Sequence, residues 1–226
     1  MNRVPVMMAV VMAVAMSSPV LAKSSRSMSF AVSRDGKVTG RMDVNISKRD
    51  SGIFAVSSFV PGVAAVKEHK NGKPSIRTYA ELDVNGAIGK FKRWEVKGKG
   101  DRYWFAFVYD GKVKVRHEKG AGDKGSTKEL GVAAKTVPLD IEQPHLAWML
   151  IDDHRDAVEC VGLKTTVLGK ATVQKVGDED LDVFGGGKKL LTHWAVRGDC
   201  GEYSVYVDAD GLPTVMVSGS ARFDRM

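Results

Sequence analysis

The sequence predicts a mainly β protein, one β-rich domain with a single helical insertion. Three observations carry that reading. From residue 28 onward apolar and polar residues alternate with a period of two, as in strands with unlike faces. Asp-Gly and Asn-Gly pairs punctuate the alternating runs at 35–36, 71–72, 110–111 and 210–211, and such pairs supply the positive φ angles of tight hairpin turns. Only PHLAWMLIDDHRD, Pro144 to Asp156, interrupts the alternation with apolar residues at helical spacing.

The chain opens on a segment outside this pattern. Arg3 precedes an apolar run from Val6 to Met16, and a Ser-Ser-Pro break leads to Val20-Leu21-Ala22, a small-x-small cleavage site. Residues 1–22 therefore read as a secretory signal peptide removed after Ala22, its apolar run being too short for a permanent anchor. The mature domain, 23–226, is expected in the periplasm with no transmembrane anchor. The formal net charge is +7 over 226 residues, with lysines scattered among acids and no arginine-rich tail or basic helix. Nucleic-acid binding is not expected, because no recognition motif accompanies the charge. A basic surface of this kind keeps a protein soluble or draws it toward anionic envelope lipids.

The elements follow in order. MSFAVSRDGKVTGRMDVNIS is a hairpin turning at Asp35-Gly36, with Val38, Met42, Val44 and Ile46 expected on one face of its second strand. IFAVSSFV is a strand, and VAAVKEHKNGKPSIRTYAELDV reads as a hairpin about Asn71-Gly72. FKRWEVKGKGDRYWFAFVYDGKVKVRHEKG is a three-strand meander. Its middle strand is apolar on both faces, with Tyr103, Phe105, Phe107 and Tyr109 alternating with Trp104, Ala106 and Val108, so both faces are expected to be covered. EKGAGDKGSTKELG reads as an exposed loop. Beyond the helix the β pattern resumes in AVECVGLKTTVLGKATVQKVG, LDVF, KKLLTHWAVRGD, GEYSVYVDADG and LPTVMVSGSARF, the last three as an antiparallel meander.

The helix has two candidate starts. Asp140 can cap it with Gln143 completing a capping box, or Pro144 can open its first turn. Leu146, Met149 and Leu150 share a stripe flanked by Trp148, so the segment is expected to lie on a sheet face. Its polar residues do not converge. His145 and His154 stand about 13 Å apart along a continuous axis, and Asp152, Asp153 and His154 point in different directions. No metal site is expected from them, since the HExxH spacing is absent.

Other chemistry is thin. Cys160 and Cys200 form an even pair in an exported chain and are expected to join in a disulfide, which stabilises by roughly 4 kcal/mol for a loop of about forty residues. DADG at 208–211 lacks the rest of a calcium loop and reads as a hairpin turn, and FGGGKKLL lacks the phosphate-loop form. No GxSxG elbow exists, so no catalytic residue and no cofactor is expected. His69, His117 and His193 read as packed or surface residues, His193 beside Trp194 being the best candidate if the protein were a hydrolase. Asp178, Glu179 and Asp180 read as a solvated acidic turn.

Four stretches carry a resemblance: FAVSRDGKVTGRMDVNI, PLDIEQPHLAWMLID, KVGDEDLDV and YSVYVDADGLPTVMVSG. Their order across nearly the whole mature chain resembles uncharacterised exported bacterial domains similar in shape to the LolA-like lipoprotein carriers, a half-barrel superfamily. The resemblance implies a strongly curved antiparallel sheet, an incomplete β-barrel, with one helix plugging the concave face. It implies a lipid, lipoprotein or other apolar envelope ligand and brings no catalytic residues; the cysteine pair has no counterpart in it. The expected function is a soluble, non-catalytic carrier with an apolar cavity lined by Trp94, Tyr103, Phe105, Phe107, Trp148, Met149 and Trp194. The alternative is an envelope interaction protein with a filled core.

Overall fold

The computed structural model describes residues 25–49, 52–67, 73–82, 88–97, 100–109, 112–119, 125–133, 136–152, 156–162 and 165–226. The expected signal segment, the turns at 71–72 and 110–111, and His69, Asp153 and His154 lie outside the described residues.

The elements are β1 (Ser25–Arg34), β2 (Lys37–Arg49), β3 (Gly52–Pro61), α1 (Val63–Lys67), β4 (Ile76–Leu82), β5 (Ile88–Lys97), β6 (Gly100–Tyr109), β7 (Lys112–Lys119), β8 (Ser126–Gly131), β9 (Val137–Leu139), α2 (His145–Asp152), β10 (Ala157–Gly162), β11 (Val167–Asp182), β12 (Lys188–Gly198), β13 (Gly201–Val207), β14 (Pro213–Ser218) and β15 (Ala221–Arg225). The described strands form one sheet in the order β8-β7-β6-β5-β4-β3-β2-β1-β15-β14-β13-β12-β11-β10-β9. It is a mainly β, strongly curved sheet, as the sequence predicts. Neighbours are antiparallel except β9 and β10, which run parallel. The sheet curls until β9 meets β5, leaving a nearly closed ring of twelve strands with β6 to β8 continuing beyond it.

Local chemistry explains most boundaries. Asp35 (φ 48°) and Gly36 (φ 74°) turn the first hairpin, as the Asp-Gly pair predicts. Beyond it Met42, Val44 and Ile46 are buried on one face, but Val38 is exposed. The reason is a β-bulge: Val32 pairs with Gly40 and Ser33 with Val38, which leaves Thr39 unpaired and reverses the alternation. The extra residue is anchored, Thr39 Oγ1 donating to the Val32 carbonyl at 3.1 Å. Gly40 is required beside it, because a Cβ there would meet the Val60 carbonyl oxygen at 2.3 Å.

Four expectations are corrected. VAAVK forms α1 rather than a strand, with Ala65 and Val66 buried while the Ala65 carbonyl accepts from Arg41. STKELG, expected within a loop, forms the edge strand β8; its residues are almost all exposed, so no apolar alternation marks it. LDVF does not stand alone, since β11 runs unbroken through Asp182 with a bulge between Lys175 and Gly177. LPTVMVSGSARF is two strands, β14 and β15, joined by a turn at Gly219.

One core lies on the concave side, built from Met28, Phe30, Val32, Met42, Val44, Phe91, Val205, Met216 and Phe223 around α2. The helix starts at His145, so Pro144 opens it, and Asp140 caps the preceding turn instead. Every residue from Leu146 to Ile151 is buried. A helix lying on a sheet would keep a wet face; the described residues of α2 show none, because it plugs the ring.

A smaller buried layer lies on the outer face. His193, Tyr206, Val215, Asp224 and Ala31 form one cross-strand row from β12 to β1. Val215 and Ala31 are buried yet outside the main core. The far half of the β11–β12 hairpin leans back over this row, where Arg222 of β15 donates to the Asp182 carbonyl.

Candidate ligand site beneath the helix

The seam where β9 meets β5 is the unusual place in the ring. Among the described residues no backbone ladder joins these strands. Side chains bridge them. Arg93 of β5 reaches the turn after β9, Nη1 donating to Asp140 Oδ2 at 2.5 Å and Nη2 to Glu142 Oε2. The Arg93 and Asp140 side chains are completely buried. Burial works against the guanidinium charge, but the two carboxylates outweigh it and raise its pKa above the usual arginine value. Glu142 also meets Arg34 at 3.5 Å. Asp140 Oδ1 accepts from the Glu142 amide at 2.9 Å, so one carboxylate both shapes the turn and closes the seam.

Polar contacts continue along the turn. Gln143 is buried, and its side-chain carbonyl accepts from Ser57 of β3, which shares a hydrogen bond with Thr78 of β4. Tyr203 donates to the Cys200 carbonyl at 3.2 Å. Its phenol is pushed well above the usual range, by burial and then by the Asp140 charge. The Trp148 indole N–H donates to the Gly211 carbonyl at 3.0 Å, tying α2 to the β13–β14 turn. That turn is held by Asp208, whose carboxylate accepts from the amides of Asp210 and Leu212 and from Arg225. DADG is thus a hairpin turn.

His145, the first residue of α2, is fully buried, and neither ring nitrogen has a hydrogen-bond partner. Burial pushes its pKa down to about 3, so the ring is neutral at ordinary pH.

The expected lining residues divide. Trp148 and Met149 lie in the core, and Trp194 packs against it, partly buried. Trp94, Tyr103, Phe105 and Phe107 have side chains outside the described set. Their backbone rungs, Trp94 with Tyr103, Lys92 with Phe105 and Lys90 with Phe107, alternate with those of the buried Phe91 and Arg93. An open cleft of about 330 Å³ beside the seam turn is lined by Ile141, Arg197, Glu202, Tyr203, Ser204 and Val217.

Cys160 and Cys200 form the expected disulfide, with Cα atoms 6.3 Å apart, fixing β10 to the β12–β13 turn. His193 lies on the outer face, its Nδ1 2.7 Å from Glu179 Oε1 and its ring stacked on Tyr206 at 4.3 Å. Glu179 belongs to β11 rather than to a free acidic turn. The side chains of His117 and Asp152 lie outside the described set. Arg93 was not among the sequence-derived candidates. The only signal for it is its place two residues after Phe91, on the inward alternation of a strand otherwise crowded with basic residues. No family model matches the chain, and no match was found among curated proteins or solved structures.

Proposed function

We propose that this is an exported, non-catalytic protein that holds a lipid or other apolar envelope ligand between the curved sheet and α2. The observation that supports this most directly is the seam. A ring closed all round by backbone ladders opens only by breaking many hydrogen bonds. Here β9 and β5 are joined through one arginine and two carboxylates, and the plugging helix follows five residues after β9. Shifting that short segment exposes the apolar wall of Phe30, Met42, Phe91 and Met216. The disulfide holds β10 while the segment moves. The apolar signal-like start of the chain and the likeness to LolA-like carriers agree with a place in the periplasm.

The test is native mass spectrometry of the protein purified from its own envelope. A co-purified lipid is expected; a clean apo mass, with no uptake of lipid from mixed micelles, overturns the carrier reading. A second reading, an envelope interaction protein with a filled core, is favoured by Val176, Phe184 and Leu190, each exposed on the β11–β12 hairpin. It predicts a crosslinked partner that is lost on Leu190→Asp.

A further inference from the structure

Resting on the carrier reading, we infer that His145 is the polar contact of the ligand, and that the ligand head is a neutral hydrogen-bonding group such as an alcohol or ester, not a carboxylate.

Two observations converge. The first is that His145 is completely buried with both ring nitrogens unmatched, on the helix that plugs the ring. Buried polar groups are nearly always hydrogen-bonded, and leaving one unmatched costs free energy. A neutral imidazole presents one donor and one acceptor, the complement of a hydroxyl or of an ester beside one. The ring stays neutral because charging it in this place is resisted by burial.

The second is that the described charges at the helix start, and most of its amides, are already engaged. The Leu146 amide donates to the Gln143 carbonyl at 3.1 Å, and the Ala147 and Trp148 amides donate to Pro144 at 3.0 and 3.3 Å. Arg93, the buried cation, has both of its Nη atoms on Asp140 and Glu142. A ligand carboxylate would add a third negative charge beside those two, which already engage the described cations Arg93 and Arg34, and it would lose its hydration. The neighbours of His145 along the helix are apolar and buried: Leu146, Trp148 and Met149.

The test compares two probes with the same acyl chain, monoolein and oleate, titrated into the exported protein at pH 8 and read by native mass spectrometry. Monoolein is expected to bind at least about tenfold more tightly than oleate. His145→Phe should lower monoolein affinity about tenfold and leave oleate unchanged, while His145→Gln, which keeps a donor and an acceptor, recovers part of the loss. Equal binding of the two probes overturns the inference and leaves the carrier reading standing. So does a His145→Phe protein that binds monoolein as the parent does. Binding of neither probe, with a clean apo mass, overturns both. If the variants do not fold, the ratio of the two probes in the parent protein decides alone.

Discussion

The ring is closed in two places by two kinds of join. At β1 and β15 the chain's first and last described strands pair through a backbone ladder from Phe30–Arg225 to Arg34–Ala221, extended by the Met226 amide donating to Ser29 at 2.9 Å. At β5 and β9 the join is Arg93 with Asp140 and Glu142. A ladder asks little of its side chains beyond an alternation of apolar and polar, since every residue brings its own donor and acceptor. A side-chain join rests on a few particular groups, and buried charges make it unforgiving. The first join resists opening; the second leans on a few side chains, with the buried charges of Arg93 and Asp140 at its centre.

The largest expected effect breaks that contrast directly. Arg93→Ala leaves Asp140 fully buried without its cation, and removing one member of a buried pair costs about 3–5 kcal/mol. Ser33→Thr at the ladder join, on a half-buried rung with Arg222, should stay within about 0.5 kcal/mol. Urea unfolding midpoints of the two variants check both. An Arg93→Ala loss under about 1 kcal/mol would show that the ion pair does not carry the seam.

The same contrast explains what the sequence disclosed. Ladders are written in local patterns, so the first hairpin, the β5–β7 meander and strands β12 and β13 were legible from alternation and turn residues, although the split of the last segment into β14 and β15 was not. The bulge at Thr39 was not, because one extra residue changes no composition yet moves Val38 to the other face. Strand β8 was invisible because an almost wholly exposed edge strand with one apolar residue, Leu130, has nothing to alternate. The helix was legible as a helix, but a stripe of Leu146, Met149 and Leu150 does not tell a covering helix from a plug; the surrounding Ala147, Trp148 and Ile151 hinted at burial all round. Least legible was the seam. Arg93 and Asp140 are 47 residues apart, and nothing in either neighbourhood marks them as partners. Asp140 looked like a helix cap because it does cap a turn, only one turn earlier.

An intermediate effect sharpens the seam side further through pH. In the unfolded chain a histidine takes up a proton near pH 6.5, whereas folded His145 does so only near 3. Between those values the unfolded state binds one more proton, so stability is full above about pH 6.5 and falls as the pH drops, by about 1.4 kcal/mol per pH unit for this group. From pH 6.5 to pH 5, where the carboxylates remain largely ionised, the ligand-free protein should lose roughly 2 kcal/mol. Because other histidines titrate as well, the diagnostic quantity is the difference from His145→Phe, which should lack that part of the slope. Identical pH profiles for the two proteins would mean that position 145 is open to water.

The smallest effect separates the two anchors of the plug. On the seam side the turn into α2 is held by Asp140 and Gln143; on the ladder side α2 is held by the Trp148 indole on Gly211. Trp148→Phe keeps an aromatic ring but removes one buried hydrogen bond, which by itself costs about 1 kcal/mol. Hydrogen exchange shows where that loss is felt. If α2 is held from both ends, its amides should exchange several-fold faster in Trp148→Phe, while those of β1 and β15 keep their protection because their ladder does not pass through the helix. Faster exchange at β1 and β15 as well would mean that the plug and the ladder open as one unit, leaving the seam no independent motion by which to admit a ligand.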